Sequence, residues 1–232
     1  MANRILMVVL ITGTSFLLML ACASGDRENI ETEQNQVQPE TLFENELAHV
    51  VKVTLLPGEE LESHEGSNRA IYSLNDYSIE WIVDGESEGE KSWSEGDVHV
   101  HGEDTHSAIN TGSAEAEWLA FTRKTEMPDV EMQNLENDVN SLEGDFAELI
   151  YDDELFRITE VTLAAGESIP SHDGIHRIIY SLSDYTLNYQ SEESEQEERS
   201  FEAGDAHWHT PGTHAMDNIG DTEARFLVIS YK

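Results

Sequence analysis

A long internal repeat is the feature that most limits how this chain can fold. The residues that recur at one constant interval, without a gap, include Val53 and Val161, Gly58 and Gly166, His64 and His172, Gly66 and Gly174, Arg69 and Arg177, Tyr72 and Tyr180, Gly96 and Gly204, His99 and His207, His101 and His209, His106 and His214, and Asn110 and Asn218. A repeat of this length predicts two similar structural units. Because most of the histidines recur, a site was duplicated together with the fold.

Short segments typical of β-strands follow one another in both copies, separated by turn signals such as Pro57-Gly58. The predicted strands are residues 49–55, 70–74, 78–83, 98–101 and 118–121, and then 157–163, 177–182, 185–189, 207–209 and 224–231. Residues 84–90, rich in Gly and Glu, predict a hairpin turn. No helical pattern alternates with these segments, so we expect an all-β fold of the jelly-roll kind.

The repeat divides the chain into five segments. Residues 1–21 are a predicted signal peptide, and residues 22–41 are a predicted disordered acidic tether. Repeat one covers residues 42–124 and repeat two covers residues 150–232, while the linker, residues 125–149, is predicted to contain a short helix beginning at Pro128. Units of this size bury small cores alone, so we expect the two repeats to pack on each other, and a homodimer is left open.

The N-terminal segment resembles the signal peptide of a bacterial lipoprotein. Arg4 precedes an apolar stretch, residues 5–20, and Met19-Leu20-Ala21-Cys22 resembles a lipobox. An ordinary secretory peptide and an N-terminal membrane anchor are the alternatives. We predict a lipid on Cys22 and a place in the bacterial cell envelope, on the periplasmic or extracellular side. Cys22 is the only cysteine, so disulfides and a cysteine-based zinc site are excluded.

Strong acidity excludes some partners. The formal net charge is −36, and loss of residues 1–21 removes one arginine and no acid. Nucleic-acid binding needs a basic surface, and so does electrostatic binding to anionic lipid. We therefore expect no nucleic-acid partner and contact with the membrane only through the lipid.

Each copy carries the same two motifs. The first is Gly-x5-His, ending at His64 or His172, and the second joins Gly-Asp, His-x-His and His-x3-Asn within residues 96–110 or 204–218. On these motifs the chain resembles the cupin family and, with two copies, a bicupin. The resemblance implies two tandem double-stranded β-helix (jelly-roll) barrels.

The resemblance also implies a metal inside each barrel, held by two histidines and a glutamate of the first motif and one histidine of the second. Only His64 with His106, and His172 with His214, match that set. Glycines 66 and 174 stand at the second histidine position, and the glutamate position holds apolar residues. Two ligands are too few for zinc, manganese or iron, which take three or more.

The His-x-His pairs could replace the missing ligands, because residues i and i+2 of a strand share one face. If that face points inward, the predicted metal ligands are His64, His99, His101 and His106 in repeat one, and His172, His207, His209 and His214 in repeat two. Such a set suits a divalent transition metal, namely Zn, Fe, Mn, Ni or Cu. The alternatives are inward histidines that bind an organic ligand, and structural histidines.

The repeats also differ next to these histidines. Repeat two keeps Pro211-Gly212 before His214, as the family does, so we expect it to hold the better-formed site. Repeat one has Glu103 and Asp104 there, either of which could add an oxygen ligand.

Arg69 and Arg177 lie beside the glutamate position and are candidates for ligand binding, together with Tyr72 and Tyr180. A guanidinium suits a carboxylate or phosphate, which it can bind through two hydrogen bonds. The alternative is a structural ion pair with Asp76 or Asp97, or, in repeat two, with Asp184 or Asp205.

Three functions agree with these observations. The first is a membrane-tethered cupin that binds a small ligand, with an anion as one option, in a histidine-rich, metal-binding pocket of each barrel. The second is a metal-dependent cupin enzyme, a dioxygenase or isomerase acting on a small carboxylate. The third is a structural envelope protein without metal, whose histidines respond to pH.

Overall fold

The computed structural model describes residues 37–128, 135–191 and 196–232. The predicted signal peptide, Cys22 and residues 22–36 of the predicted tether lie outside these ranges, whereas Glu40 and Thr41 of that tether belong to the first strand. In the described part of the chain, no helix is both long and apolar enough to cross a bilayer.

Both repeats consist of antiparallel strands, and the second follows the first strand for strand. The first repeat contains β1 (Glu40–Glu44), β2 (Ala48–Leu55), β3 (Glu60–Gly66), β4 (Arg69–Ser73), β5 (Tyr77–Val83), β6 (Glu86–Trp93), β7 (Val98–His101), β8 (Asp104–Asn110) and β9 (Ala116–Arg123). The second contains β10 (Ala147–Asp152), β11 (Phe156–Leu163), β12 (Ser168–Gly174), β13 (Arg177–Ser181), β14 (Tyr185–Ser191), β15 (Glu197–Phe201), β16 (Ala206–His209), β17 (Gly212–Asn218) and β18 (Ala224–Tyr231).

Each repeat forms one five-stranded and one four-stranded sheet. In the first repeat the strand orders are β1-β2-β9-β4-β7 and β3-β8-β5-β6, and in the second β10-β11-β18-β13-β16 and β12-β17-β14-β15. An apolar core joins both sheets of each repeat. The prediction of an all-β chain with two tandem jelly-roll barrels is confirmed.

Strand alternation decides which side chains enter a barrel. In β4, Arg69 and Ile71 line the cavity of the first barrel, whereas Ala70 and Tyr72 point away from it. The faces that point away meet in a core shared by both repeats. Its buried residues are Ala48, Val50, Ala70, Tyr72, Leu119, Phe121, Met127, Phe156, Ile158, Ile178, Tyr180, Leu227, Ile229 and Tyr231.

Two predicted local features are shorter in the described residues. β6 already begins at Glu86, so the turn predicted for residues 84–90 is reduced to Asp84 and Gly85, whose φ angles are 50° and 80°. Such φ values are those of a two-residue hairpin turn. In the linker, residues 135–146 contain only the 3-10 turn Val139–Ser141, because Asp138 caps it by accepting from Asn140 N and the chain is extended again at Leu142. Residues 129–134 of the predicted helix lie outside the described residues.

Candidate functional site

Two motif histidines meet inside each barrel. β3 and β8 place His64 opposite His106, and β12 and β17 place His172 opposite His214. The ring centroids are 4.2 Å and 4.1 Å apart. Nδ1 of His64 lies 2.8 Å from the carbonyl oxygen of Glu62 and donates to it. In the neutral ring Nε2 is then free to accept a hydrogen bond.

A buried arginine lies against the histidine pair of the first barrel. Arg69 donates from Nη1 to the carbonyls of Ser67 and Gly102, both at 3.0 Å. Its Nη2 lies 3.0 Å from Asp104 Oδ1 and 3.1 Å from His106 Nδ1. The same Asp104 oxygen is 2.8 Å from His106 Nδ1. The carboxylate therefore neutralises the guanidinium and also orients the imidazole ring.

Arg177 takes the same place in the second barrel. Its Nη1 donates to the carbonyls of Ile175 and Thr210, at 3.0 Å and 3.2 Å. Its Nη2 lies 3.4 Å from both ring nitrogens of His214. Among the described residues no carboxylate pairs with it, and burial lowers the pKa of Arg177 to about 10.

The arginines explain the glycines that replace the second motif histidine. A Cβ atom built at Gly66 would lie 2.4 Å from Arg69 Nη1, and one at Gly174 would lie 2.4 Å from Arg177 Nη1. Neither position tolerates a side chain while the arginine keeps its place. The glycine and the buried arginine next to it therefore form one structural arrangement in each barrel.

The His-x-His pairs face into the barrels, as one of the sequence alternatives predicts. In the register of β4 and β7, Arg69 lies opposite His101, so His99 and His101 share its interior face. An aromatic ring nevertheless separates them from the motif histidines. Trp81 lies between His101 and His106, with centroid distances of 4.8 Å to each.

The second barrel repeats this arrangement with a different aromatic residue. Tyr189 lies 5.6 Å from both His209 and His214, measured between ring centroids. His207 and His209 are 5.0 Å apart. In each barrel the histidines thus form two separate pairs, and the predicted four-histidine cluster is not formed.

Burial keeps six of these histidines uncharged near neutral pH. Loss of hydration is the main cause, and neighbouring arginine and histidine side chains add to it. The lowered pKa is about 4 for His101, His106 and His207, about 3 for His99, and about 2 for His209 and His214. Each neutral ring offers one donor and one acceptor.

The barrels differ in free space. The first contains a cavity of about 440 Å³, whereas the second contains two of about 30 Å³, both lined by Arg177 and His214. Val139 of the 3-10 turn packs into the core of the second barrel and lines the cavity next to His172. The larger cavity thus lies in repeat one, whereas the sequence favoured repeat two for the better-formed site; that expectation stays a prediction.

The cavity of the first barrel combines an apolar wall with a few polar groups. Its apolar side chains include Val53, Leu61, Ile71, Tyr77, Ile79, Trp81, Trp118 and Ala120. Its buried or half-buried motif residues are Arg69, His99 and His106, and the polar lining is completed by the exposed His64 and by Thr41, His49, Glu65, Ser67, Thr122 and Lys124. Nδ1 of His99 and Nε of Arg69 are buried without a hydrogen-bond partner. A ligand that reached either atom would satisfy its hydrogen-bonding capacity.

The prediction that Tyr72 and Tyr180 contact a ligand is corrected. Tyr72 and Tyr180 belong to the core between the repeats, because they follow Arg69 and Arg177 at an odd spacing and so face away from the barrels. The alternation of side chains along the strand could already have predicted this orientation from the sequence.

The predicted ion pairs of the arginines are also wrong. Asp97 and Asp205 accept instead from the backbone N–H groups of Ser94 and Glu202, at 2.7 Å and 2.8 Å. Asp76 and Asp184 likewise accept from backbone N–H groups.

The donor set does not fit a divalent metal. In the described ranges, no group of three or more His, Cys, Asp or Glu side chains is arranged to hold one ion. A guanidinium also lies against His106 and against His214, and its positive charge opposes a bound cation.

Solved structures with the same fold are cupins. AerE from Microcystis aeruginosa aligns with a TM-score of 0.56 at 17% identity, over 84% of this chain and 98% of that chain. Oxalate decarboxylase from Bacillus subtilis, which has Mn(II) centres, aligns with a TM-score of 0.60 at 16% identity, over 83% and 75%. A cupin 2 conserved barrel domain protein from Leptotrichia buccalis gives 0.50 at 14% identity, over 88% and 92%.

No protein-family model and no curated protein matches the sequence. At these low identities the structural likeness shows the fold alone: two tandem cupin-type barrels.

Proposed function

We propose that this protein binds a small organic molecule in its first barrel without the help of a metal. The observation that supports the proposal is the cavity of about 440 Å³ beside His64, Arg69 and His106. Small-molecule sites have volumes of roughly 300–1,000 Å³ and pair apolar walls with a few polar groups. The second barrel, filled by its own side chains and Val139, serves as the structural partner.

The cavity lining favours a ligand with little charge. Asp104 neutralises Arg69, and burial keeps His99 and His106 uncharged. Trp81 and Trp118 offer flat apolar surfaces for a ring. The best-matched ligand has an apolar or aromatic body and one polar group that bonds to His64 or His99. An anionic ligand, one option from the sequence, is less suited because Arg69 already has a partner.

Ring compounds of different charge test this proposal. Phenol, benzoate and benzylamine are titrated while the fluorescence of the cavity tryptophans is recorded. We expect saturable binding of phenol and weaker binding of the two charged compounds. Ala120→Phe, which fills the cavity, should weaken phenol binding at least about tenfold.

The matched control is Ala114→Phe, which places the same side chain on an exposed loop of the same barrel. It should bind phenol as the unchanged protein does. Binding that survives Ala120→Phe, or the absence of binding for all three compounds, contradicts the proposal.

The metal-dependent alternatives need a different arrangement of side chains. A dioxygenase or isomerase would require three or more ligands around one ion, which Trp81 and Arg69 prevent in the first barrel. Oxygen consumption with small carboxylates in the presence of Fe(II) or Mn(II) would favour such an enzyme over a binding protein.

We also propose that a lipid on Cys22 tethers the protein to a bacterial cell envelope, on the periplasmic or extracellular side. The support is the apolar stretch 5–20 followed by Met19-Leu20-Ala21-Cys22. Bacteria that express the full chain and are fed labelled palmitate should label the protein. Label that persists in Cys22→Ser would contradict the anchor.

A further inference from the structure

We propose that the second barrel binds a small monovalent anion at Arg177, in the place that the Asp104 carboxylate occupies in the first barrel. This site is distinct from the cavity of the proposed function and does not depend on it.

The first observation is a buried positive charge without a negative partner. Arg177 is 3% exposed, and its described contacts are two carbonyl groups, the His214 ring and the side chain of Tyr189, none of which is negatively charged near neutral pH. Its counterpart Arg69 is 4% exposed and pairs with Asp104 at 3.0 Å. Burying a charge is costly unless an opposite charge accompanies it. Among its described residues, the second barrel therefore has no counterpart of the anion that Asp104 supplies in the first barrel.

The second observation is space where that anion would lie. Gly212 pairs with Gly174 as Asp104 pairs with Gly66, so Gly212 and Asp104 are equivalent positions. A Cβ atom built at Gly212 meets no atom within 4 Å. An anion in this space can accept from Arg177 Nη2 and from the His214 ring. Asp104 Oδ1 makes the same two contacts, to Arg69 and His106.

The third observation is the basic lining of the adjoining cavity. In a chain of net charge −36, the titratable side chains of this cavity are Arg177, Arg199, His207, His209, His214 and two tyrosines, and none is a carboxylate. Its volume is about 30 Å³, and a single water needs about 10–15 Å³. This cavity borders Arg177 and His214 but not Gly212, so it adds room for an ion of one to a few atoms on another side of the guanidinium.

Carboxylates in the neighbouring cavity are bound elsewhere. Asp138 accepts from Arg157 Nη1 at 2.9 Å, and Asp173 accepts from Thr213 Oγ1 at 2.7 Å. Neither pairs with Arg177, so neither takes the place of the proposed anion.

Chloride and formate are suitable probes, with gluconate as an anion too large for the site. All are sodium salts at one ionic strength, so that screening of the net charge stays constant. We expect the protein to broaden the ³⁵Cl NMR line, and formate to reverse the broadening. Replacing gluconate by chloride or formate should raise Tm by about 2–4 °C.

Two substitutions exchange the residues at the equivalent positions 104 and 212, so that the carboxylate moves from one barrel to the other. Gly212→Asp supplies the missing carboxylate, so the variant should lose both the ³⁵Cl broadening and the anion-dependent rise in Tm. Asp104→Gly should give the first barrel a second anion site and increase both effects. Gly102→Ala, where a Cβ meets its nearest atom at 3.9 Å, is the neutral control.

Equal ³⁵Cl broadening by the unchanged protein and Gly212→Asp would overturn the proposal, as would no broadening by the unchanged protein. The absence of broadening by the unchanged protein would overturn the proposal even where a variant fails to fold. Neither result bears on phenol binding in the first barrel.

Discussion

Arg69 and Arg177 determine what the two barrels can hold. Each guanidinium is fixed by two backbone carbonyls and reaches the histidine of the second motif. The same side chain leaves no room for a residue larger than glycine at position 66 or 174. One residue therefore removes a metal ligand from the family pattern and places a positive charge beside another.

Substitution of the glycine next to Arg69 tests whether the arginine and the glycine are in close contact. Gly66→Ala should lower the free energy of unfolding by about 1–3 kcal/mol, because the new Cβ overlaps Arg69. Urea unfolding measures the change. Gly102→Ala, in the same barrel, should cost less than about 1 kcal/mol. Equal stability of the two variants would contradict the contact between Gly66 and Arg69.

The sequence predicted the site only in part. The repeated motifs singled out His64 and His106, and the strand period offered inward His-x-His pairs as one alternative. The ring of Trp81 that separates these pairs was not predicted, since it comes from β5 and depends on how strands distant in sequence face each other. The pairing of Asp104 with Arg69 was missed for the same reason.

Among the elements, the 3-10 turn Val139–Ser141 adds a side chain to the second barrel, next to the larger Met216 and Val228 that stand where the first barrel has Ala108 and Ala120. Asp138 binds Arg157 at 2.9 Å, and Asn140 Nδ2 donates to Thr159 Oγ1 at 2.9 Å. These bonds hold Val139, which is 6% exposed, in the core of the second barrel. Part of the linker between the repeats thus completes the second core.

Truncation of this side chain should open the second barrel. Val139→Ala removes buried apolar contacts and should lower the free energy of unfolding by about 1.5–3 kcal/mol. Ile219→Ala, at a position that is 47% exposed, is the control and should cost clearly less. Urea unfolding of both variants measures the change. Equal losses of unfolding free energy would show that Val139 does not contribute to the core of the second barrel.

Strands were predictable where their residues are β-branched or apolar, as in β2 and β11. The strands that carry the motif histidines, β3, β8, β12 and β17, were missed. In β3, Leu61 is the one buried side chain, and the strand is otherwise polar. Such a segment becomes a strand because neighbouring strands supply hydrogen bonds, which local sequence patterns do not reveal.

Over the whole molecule, two similar barrels share a core but differ in their interiors. Tyr72, Phe121, Phe156, Ile229 and Tyr231 are among the side chains buried where the repeats meet. The faces that join the barrels differ in side-chain size at equivalent positions, as at Ala48 and Phe156. The interiors differ in free volume, since the first holds a cavity of about 440 Å³ and the second two of about 30 Å³.

The buried histidines make the stability of the whole molecule depend on pH. An unfolded histidine titrates near pH 6.5, whereas burial lowers the pKa of His209 to about 2. Below pH 6.5 the unfolded chain therefore binds more protons, and folding stability falls by about 1.4 kcal/mol per pH unit for each such histidine. Urea unfolding between pH 7 and pH 5 should show a shallower decline for His209→Gln. Parallel declines would contradict the buried, neutral state of His209.

We infer that neither barrel holds a metal ion, because an arginine lies against the second-motif histidine in each. Elemental analysis of protein made without a histidine tag, incubated with Mn, Fe, Ni, Cu and Zn and then freed of unbound ions, tests it most directly. We predict only substoichiometric metal, unchanged in His64→Ala and His172→Ala. About one ion per barrel, lost in those two variants, would contradict the claim.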